Sequence, residues 1–119
     1  MPTAPRRHLR LDTVDGVTVV SFVGTKIVED RHIQELGDEL NGLVVDEGHR
    51  RLLLNFGNVQ YLSSSMLGKL IALKKKVDAA KGKLKLCCLH PDLMDLFRIT
   101  KHDQVFEIYG EEQKALDKF

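Results

Sequence analysis

Cysteine is scarce in this 119-residue chain: there are two, Cys87 and Cys88, side by side. Neighbouring side chains on a strand point to opposite faces, and a bridge between sequence neighbours strains the peptide joining them. A disulfide scaffold is therefore excluded. A reducing, cytoplasmic setting is expected, with both thiols packed as small apolar groups on the two faces of a buried strand. Net charge is equally scarce. Eighteen Lys and Arg against 17 Asp and Glu leave +1, so no global field draws the chain to nucleic acid or to an anionic membrane. Long apolar runs are missing too: nothing approaches the roughly 18 residues of a membrane span. The opening MPTAPRRHLRLD has two prolines and three arginines but no apolar segment of a secretory signal. With no repeat, low-complexity tract or Pro- or Gly-rich linker, and with 43% hydrophobic residues, the expectation is one compact domain over residues 1–119, of which 1–7 form a flexible lead.

The constellations of an enzyme are also wanting. The five histidines His8, His32, His49, His90 and His102 are scattered, with no pair at i, i+4 of a zinc-protease helix. There is no GxGxxG and no GxxxxGK[ST], and Gly37 and Gly42 fall inside a helical pattern, where they cost stability and cradle no phosphate. No catalytic role, metal site or cofactor is expected.

What is present is strong periodicity. Residues 8–13 alternate in polarity and 17–23 (VTVVSFV) are rich in β-branched and aromatic types; Asp15-Gly16 between them predicts an antiparallel hairpin. Asp30 is placed to cap a helix carrying Ile33, Leu36, Leu40, Leu43 and Val44 at helical spacing and ending near Gly48. Residues 50–56 (RRLLLNF) suit a strand buried on both faces, as in parallel sheets. VQYL (59–62) then leads into Ser63, Ser64 and Ser65, followed by a helix with Leu67, Leu70, Ile71 and Val77 on one stripe up to Gly82. A strand over 84–89, a short helix from about Asp92 to Ile99, a strand over 105–109 and a helix over 111–119 complete the order β-β-α-β-α-β-α-β-α. The fold class is α/β, a small mixed sheet of about four or five strands with about four helices and right-handed crossovers.

Two features remain for function. Lys69, Lys74, Lys75, Lys76, Lys81, Lys83 and Lys85 make a local basic run, expected as a solvated helix face or a basic rim suited to an acidic protein partner. The three serines open a helix. The simplest role is capping, a hydroxyl accepting from an otherwise unpaired amide. A phosphoryl group at the same place would lie beside free amides and the positive end of the helix dipole, adding about −1.5 to −2 charges to an exposed surface without unfolding the helix. Gly68, early in the helix and without a side chain, would let a partner approach the backbone closely.

RRLLLNFGNVQYLSSSMLGKL resembles the signature of the STAS domain, and in particular of the bacterial anti-sigma factor antagonists, in which a Asp-Ser-Ser-Gly-Leu-Gly junction opens the second helix. Ser63 takes the Asp place, Ser64 the phosphorylated Ser, Ser65 the second Ser and Met66 the first Gly, while Leu67 and Gly68 match directly. The hairpin, GTKIVED and LKLCCLHPDLMDLFRIT extend the similarity over essentially the whole chain. The resemblance implies a STAS fold without chemistry of its own, binding an anti-sigma factor that is also a serine kinase and so releasing a sigma factor. Phosphorylation at Ser64, with Ser63 and Ser65 as alternative acceptors, would end that interaction, and a PP2C-type phosphatase would restore it. Ser63, Ser65, Met66, Gly68 and Lys69 are the expected contact surface. No direct nucleic-acid or membrane partner is implied, and the oligomeric state is left open. The alternative is a STAS scaffold or sensory module that is never phosphorylated and binds a nucleotide, a lipid or another STAS chain.

Overall fold

The computed structural model describes residues 8–119; the lead expected over residues 1–7 lies outside them. Strands β1 (Leu9–Val14) and β2 (Val17–Phe22) form the antiparallel hairpin, with Leu9 opposite Phe22 and Val14 opposite Val17. Its two turn residues, Asp15 and Gly16, both have positive φ, 50° and 81°. That is the turn whose twist matches a right-twisted strand pair.

A two-residue strand β3 (Lys26–Ile27) precedes α1 (Asp30–Val45). The helix cap falls on Glu29, so Asp30 is the first helical residue and sets its carboxylate in the turn where the dipole favours it. β4 (Arg51–Asn55), β5 (Tyr61–Leu62) and α2 (Ser64–Ala79) follow, then β6 (Lys83–Cys87), α3 (Pro91–Ile99), a 3-10 turn at His102–Gln104, β7 (Glu107–Tyr109) and α4 (Glu112–Leu116). The main sheet has the order β1-β2-β4-β6-β7, parallel from β2 onward, and β3 pairs with β5 as a separate parallel ribbon.

The unbroken Leu52-Leu53-Leu54 run is buried on both faces as its pattern demands. Leu52 and Leu54 join the main core with α1, α2 and α3, whereas Leu53 turns to a smaller core with Val17, Val19, Cys87 and Ala115 under α4. Several elements are shorter than their patterns predict: β4 by one residue at each end, α1 and α2 by about a turn at their carboxyl ends, and β6, β7 and α4 as well. β6 stops at Cys87 because Cys88 takes a left-handed φ of 65° and gives its amide to the Tyr109 carbonyl. β7 begins at Glu107 because Val105 and Phe106 bond back to His102 behind the 3-10 turn. α4 ends at Leu116, short of the end expected at residue 119. Cys87 is fully buried, and burial pushes its thiol up, the neighbouring Cys88 adding to the shift. Cys88, past the end of the strand, is half-buried.

The helical glycine Gly37 has a positional reason. A Cβ there would sit 3.0 Å from Cδ of Lys69, whose stem lies across α1 at this point. Lys85, expected in the solvated lysine run, is instead buried at 3% exposure. Its ammonium meets Glu107 Oε2 at 2.7 Å and lies over the rings of Tyr109 and Phe119. Alternation along β6 places it on the α4 face, away from the lysines of α2.

Candidate functional site: the junction of β5 and α2

The β3–β5 ribbon sets the start of α2. Gln60 and Tyr61 both donate their amides to the Thr25 carbonyl, and Ser63 donates to the Ile27 carbonyl at 2.9 Å. Two side chains fasten the segment leading into it. Asn58 Nδ2 donates to the carbonyls of Phe22 (3.3 Å) and Gly24 (3.0 Å), and His90 Nε2 donates to the Gly57 carbonyl at 3.0 Å. The loops that follow β2, β4 and β6 are thus tied to one another at the carboxyl end of the parallel strands, the end where α/β sheets present their binding residues.

Ser63 is the N-cap by backbone, extended at φ −81° and ψ 157°, but its hydroxyl caps nothing. The amide that an N-cap side chain would ordinarily take, that of Met66, already donates to the Ser63 carbonyl at 3.1 Å. Ser63 Oγ is left buried without a hydrogen-bond partner. The capping expected of this serine is therefore positional only. Ser64 and Ser65 occupy the first turn and are exposed. Gly68, one turn on, is also exposed, and a Cβ there would meet nothing within 4 Å. Its lack of a side chain serves no packing of the chain's own.

Met66 departs from expectation. It is fully buried, on the stripe with Leu70, Leu73 and Val77, because positions 66, 70, 73 and 77 return to the core face at helical spacing. It supports the junction from beneath and offers no contact surface. Lys69 is half-buried and its ammonium donates to Gln34 Oε1 at 2.9 Å, so it spans from α2 to α1 beside the serines.

The pattern reading missed the apolar surroundings. Val23, Val28 and Tyr61 are exposed at 38%, 46% and 54%, on the strand ends and loops that flank the ribbon, and Lys26 lies 5.5 Å over the Tyr61 ring. An open groove of about 300 Å³ lined by Gln60, Tyr61, His90, Pro91 and Asp92 runs beside them. The available signal was Tyr61 itself, an aromatic between the buried Val59 and Leu62 with no place in the helical stripe that follows. The hydroxyls of Ser64 and Ser65 at the start of α2 thus share one surface with exposed apolar side chains. Among the described residues there is no group of His, Cys, Asp and Glu placed to hold a metal ion, and no helix is long and apolar enough to cross a membrane.

Comparison with known proteins gives a consistent picture. A family model described as "STAS domain" matches residues 8–115. The chain is 29% identical over 111 residues to a Bordetella bronchiseptica protein named "Putative anti-sigma factor antagonist BtrV", covering 93% of each. Its fold is similar to that of an anti-sigma factor antagonist from Mycobacterium paratuberculosis, with 24% identity, TM-score 0.79 and coverage of 92% of this chain and 91% of that one. It is likewise similar to the Bacillus cell fate determinant SpoIIAA in its phosphorylated form, with 14% identity, TM-score 0.70 and coverage of 92% and 97%.

Proposed function

This chain belongs to the STAS domain family, and on that premise we propose that it is an anti-sigma factor antagonist: it binds an anti-sigma factor that is also a serine kinase, through the surface around Ser64, and phosphorylation of Ser64 ends the interaction. The observation that carries the reading is the exposed Ser64-Ser65 pair, open above Gly68 and flanked by Val28 and Tyr61. The apolar residues supply the area a partner would bury. The hydroxyl of Ser64 is the place where a dianion would meet that partner. The relative from Bordetella bears the anti-sigma factor antagonist name over nearly its whole length, and SpoIIAA, which shares the fold, has been described in phosphorylated and unphosphorylated forms.

A phosphate here adds about −1.5 to −2 charges to a molecule of net charge +1. It would not melt α2, because the free amides of the first turn and the positive end of the dipole accommodate it. It acts on the partner instead, by bulk and by placing an unpaired dianion where apolar surface is to be buried. A PP2C-type phosphatase would reverse the modification. The protein's own part is to present the serine; it needs no catalytic group, metal or cofactor for that.

Incubation with ATP and the kinase recovered by affinity capture and identified by sequencing, followed by mass spectrometry, tests the switch. The phosphate is expected on Ser64. A chain that stays unmodified at Ser63, Ser64 and Ser65 contradicts it and leaves the STAS module that binds without phosphorylation as the better account.

A further inference from the structure

A second surface lies at the opposite end of the sheet from the serines, about 24 Å away along the 16 residues of α2. Arg51 opens β4 and Lys83 opens β6, and they are register partners on neighbouring parallel strands. Leu52 and Leu84, the next residues of each strand, face the main core, so Arg51 and Lys83 share the opposite face of the sheet. Both are exposed, and neither forms an ion pair with a described residue. Like charges held side by side on adjacent strands destabilise a sheet.

The nearby cations do have local explanations. Lys76 sits in the last turn of α2, where the dipole favours it. Arg50 gives its guanidinium to the carbonyls of Val44 and His49, both at 3.2 Å. Lys85, next on the same face of β6, has Glu107. Of the acids at this end, Asp78 meets Lys74 at 2.8 Å and Glu47 meets His49 at 3.5 Å, and Asp15, in the β1–β2 turn, forms no ion pair with Arg51 or Lys83. Nor can the pair drift apart. The Lys83 amide donates to the Arg50 carbonyl at 2.7 Å, and Gly82 packs so closely on that carbonyl that a Cβ would collide with it. A rigid backbone thus presents two uncompensated cations, with Lys81 exposed in the turn just before them.

We propose that the amino-terminal ends of β4 and β6 dock a carboxylate-rich peptide segment of a partner protein, one carboxylate bridging Arg51 and Lys83. Charge complementarity names the occupant, since an anion between the two turns their repulsion into attraction. A peptide fits better than the other polyanions. The overall charge of +1 gives no field for a nucleic-acid duplex, and Tyr61, the exposed aromatic on which a base could stack, lies at the far end. None of the exposed large apolar side chains lies on β4 or β6, and Val45 and Val105, at this end, are single valines without the Trp, Phe or Leu side chains that anchor a surface in a bilayer. This surface does not depend on the reading of Ser64.

Titration of the full chain with a fluorescein-labelled peptide containing six consecutive glutamates, at about 0.1 M salt, tests the proposal beside two other arms, a DNA duplex and phosphatidylserine vesicles. Saturable binding of the peptide is expected, weakening as salt rises. The Arg51→Gln/Lys83→Gln double variant should bind at least tenfold more weakly while melting no lower than the unmodified protein, because the like-charge contact is gone. Lys75→Gln, which removes an exposed lysine of α2 away from the pair, should bind as the unmodified protein does. Absence of peptide binding, equal loss in Lys75→Gln, or tighter binding of the duplex or the vesicles than of the peptide overturns it.

Discussion

A buried hydroxyl without a hydrogen bond costs about 1–3 kcal/mol, and Ser63 Oγ is in that state at the one place in the chain where modification is proposed. The cost arises because the Met66 amide, the usual partner of an N-cap side chain, bonds to the Ser63 carbonyl, and Ser63 Oγ makes no hydrogen bond to another group. Ser63→Ala should therefore melt at or above the temperature of the unmodified protein, against the loss of about 1 kcal/mol usual for an N-cap serine. A drop of that size in a denaturant titration would mean that the hydroxyl does cap the helix. Met66 has the opposite balance. Fully buried among Leu70, Leu73 and Val77, it should lose about 2–5 kcal/mol on truncation to Ala. Unfolding of Met66→Ala at an unchanged urea midpoint would contradict its place in the core. Sequence similarity alone put Met66 on the contact surface, because alignment to a motif carries identity at a position and says nothing of the side of the helix it faces. Helical spacing from Leu70 and Val77 held the answer. Lys85 shows the same limit: a run of lysines reads as one solvated face, but period 2 along β6 turns Lys83 and Lys85 to the side of the sheet away from α2, where Tyr109 and Phe119 cover Lys85.

At the scale of the element, the junction depends on side chains far from it in sequence. Asn58 and His90 each reach into another loop, so Asn58→Ala and His90→Ala should speed amide exchange over residues 57–63 while leaving β4 and α2 protected. His90→Gln, which restores an N–H donor, should recover part of the protection. Exchange unchanged in both alanine variants would show that the β3–β5 ribbon alone holds the junction. That ribbon was invisible in the sequence for a physical reason: two residues per strand contain no period to detect, and pairing of Lys26 with Tyr61 and Ile27 with Leu62 is a fact of tertiary approach. The hairpin, the buried β4 and the three longest helices were legible because each repeats its signal over several residues.

The first helix carries a titrating cluster at its start. Burial lowers the His32 pKa, and the His8 ring 4.4 Å away adds to the shift; Glu29, Glu35 and Glu39 oppose it. The hydrogen bond from His8 and then that from Arg31 lower the Glu35 pKa. A histidine whose folded pKa is depressed binds fewer protons folded than unfolded, so its share of stability is present above the unfolded value of about 6.5 and is lost as the pH falls below it. Melting temperature should decline from pH 7.5 towards about pH 5.5, and His32→Gln should flatten that decline. A variant whose profile parallels the original would refute the assignment.

For the molecule as a whole, the sheet order β1-β2-β4-β6-β7 with helices between parallel strands sends the carboxyl end of the sheet and the start of α2 to one pole, and the amino ends of β4 and β6 to the other. The serines and their apolar flank occupy the first pole; Arg51 and Lys83 occupy the second. Element order and the position of the serine junction followed from the sequence, as did the family. The apolar flank did not, because Val23, Val28 and Tyr61 come together only when the ribbon forms. A net charge of +1 means that a single phosphate reverses the sign of the molecule, to about −1. The central claim is that this change, made at Ser64, decides whether the partner stays bound. Calorimetric titration of the captured anti-sigma factor with the unmodified and the Ser64-phosphorylated protein measures it directly. Binding at least tenfold weaker for the phosphorylated form, about 1.4 kcal/mol or more, is the predicted result, and equal affinity of the two forms would contradict it.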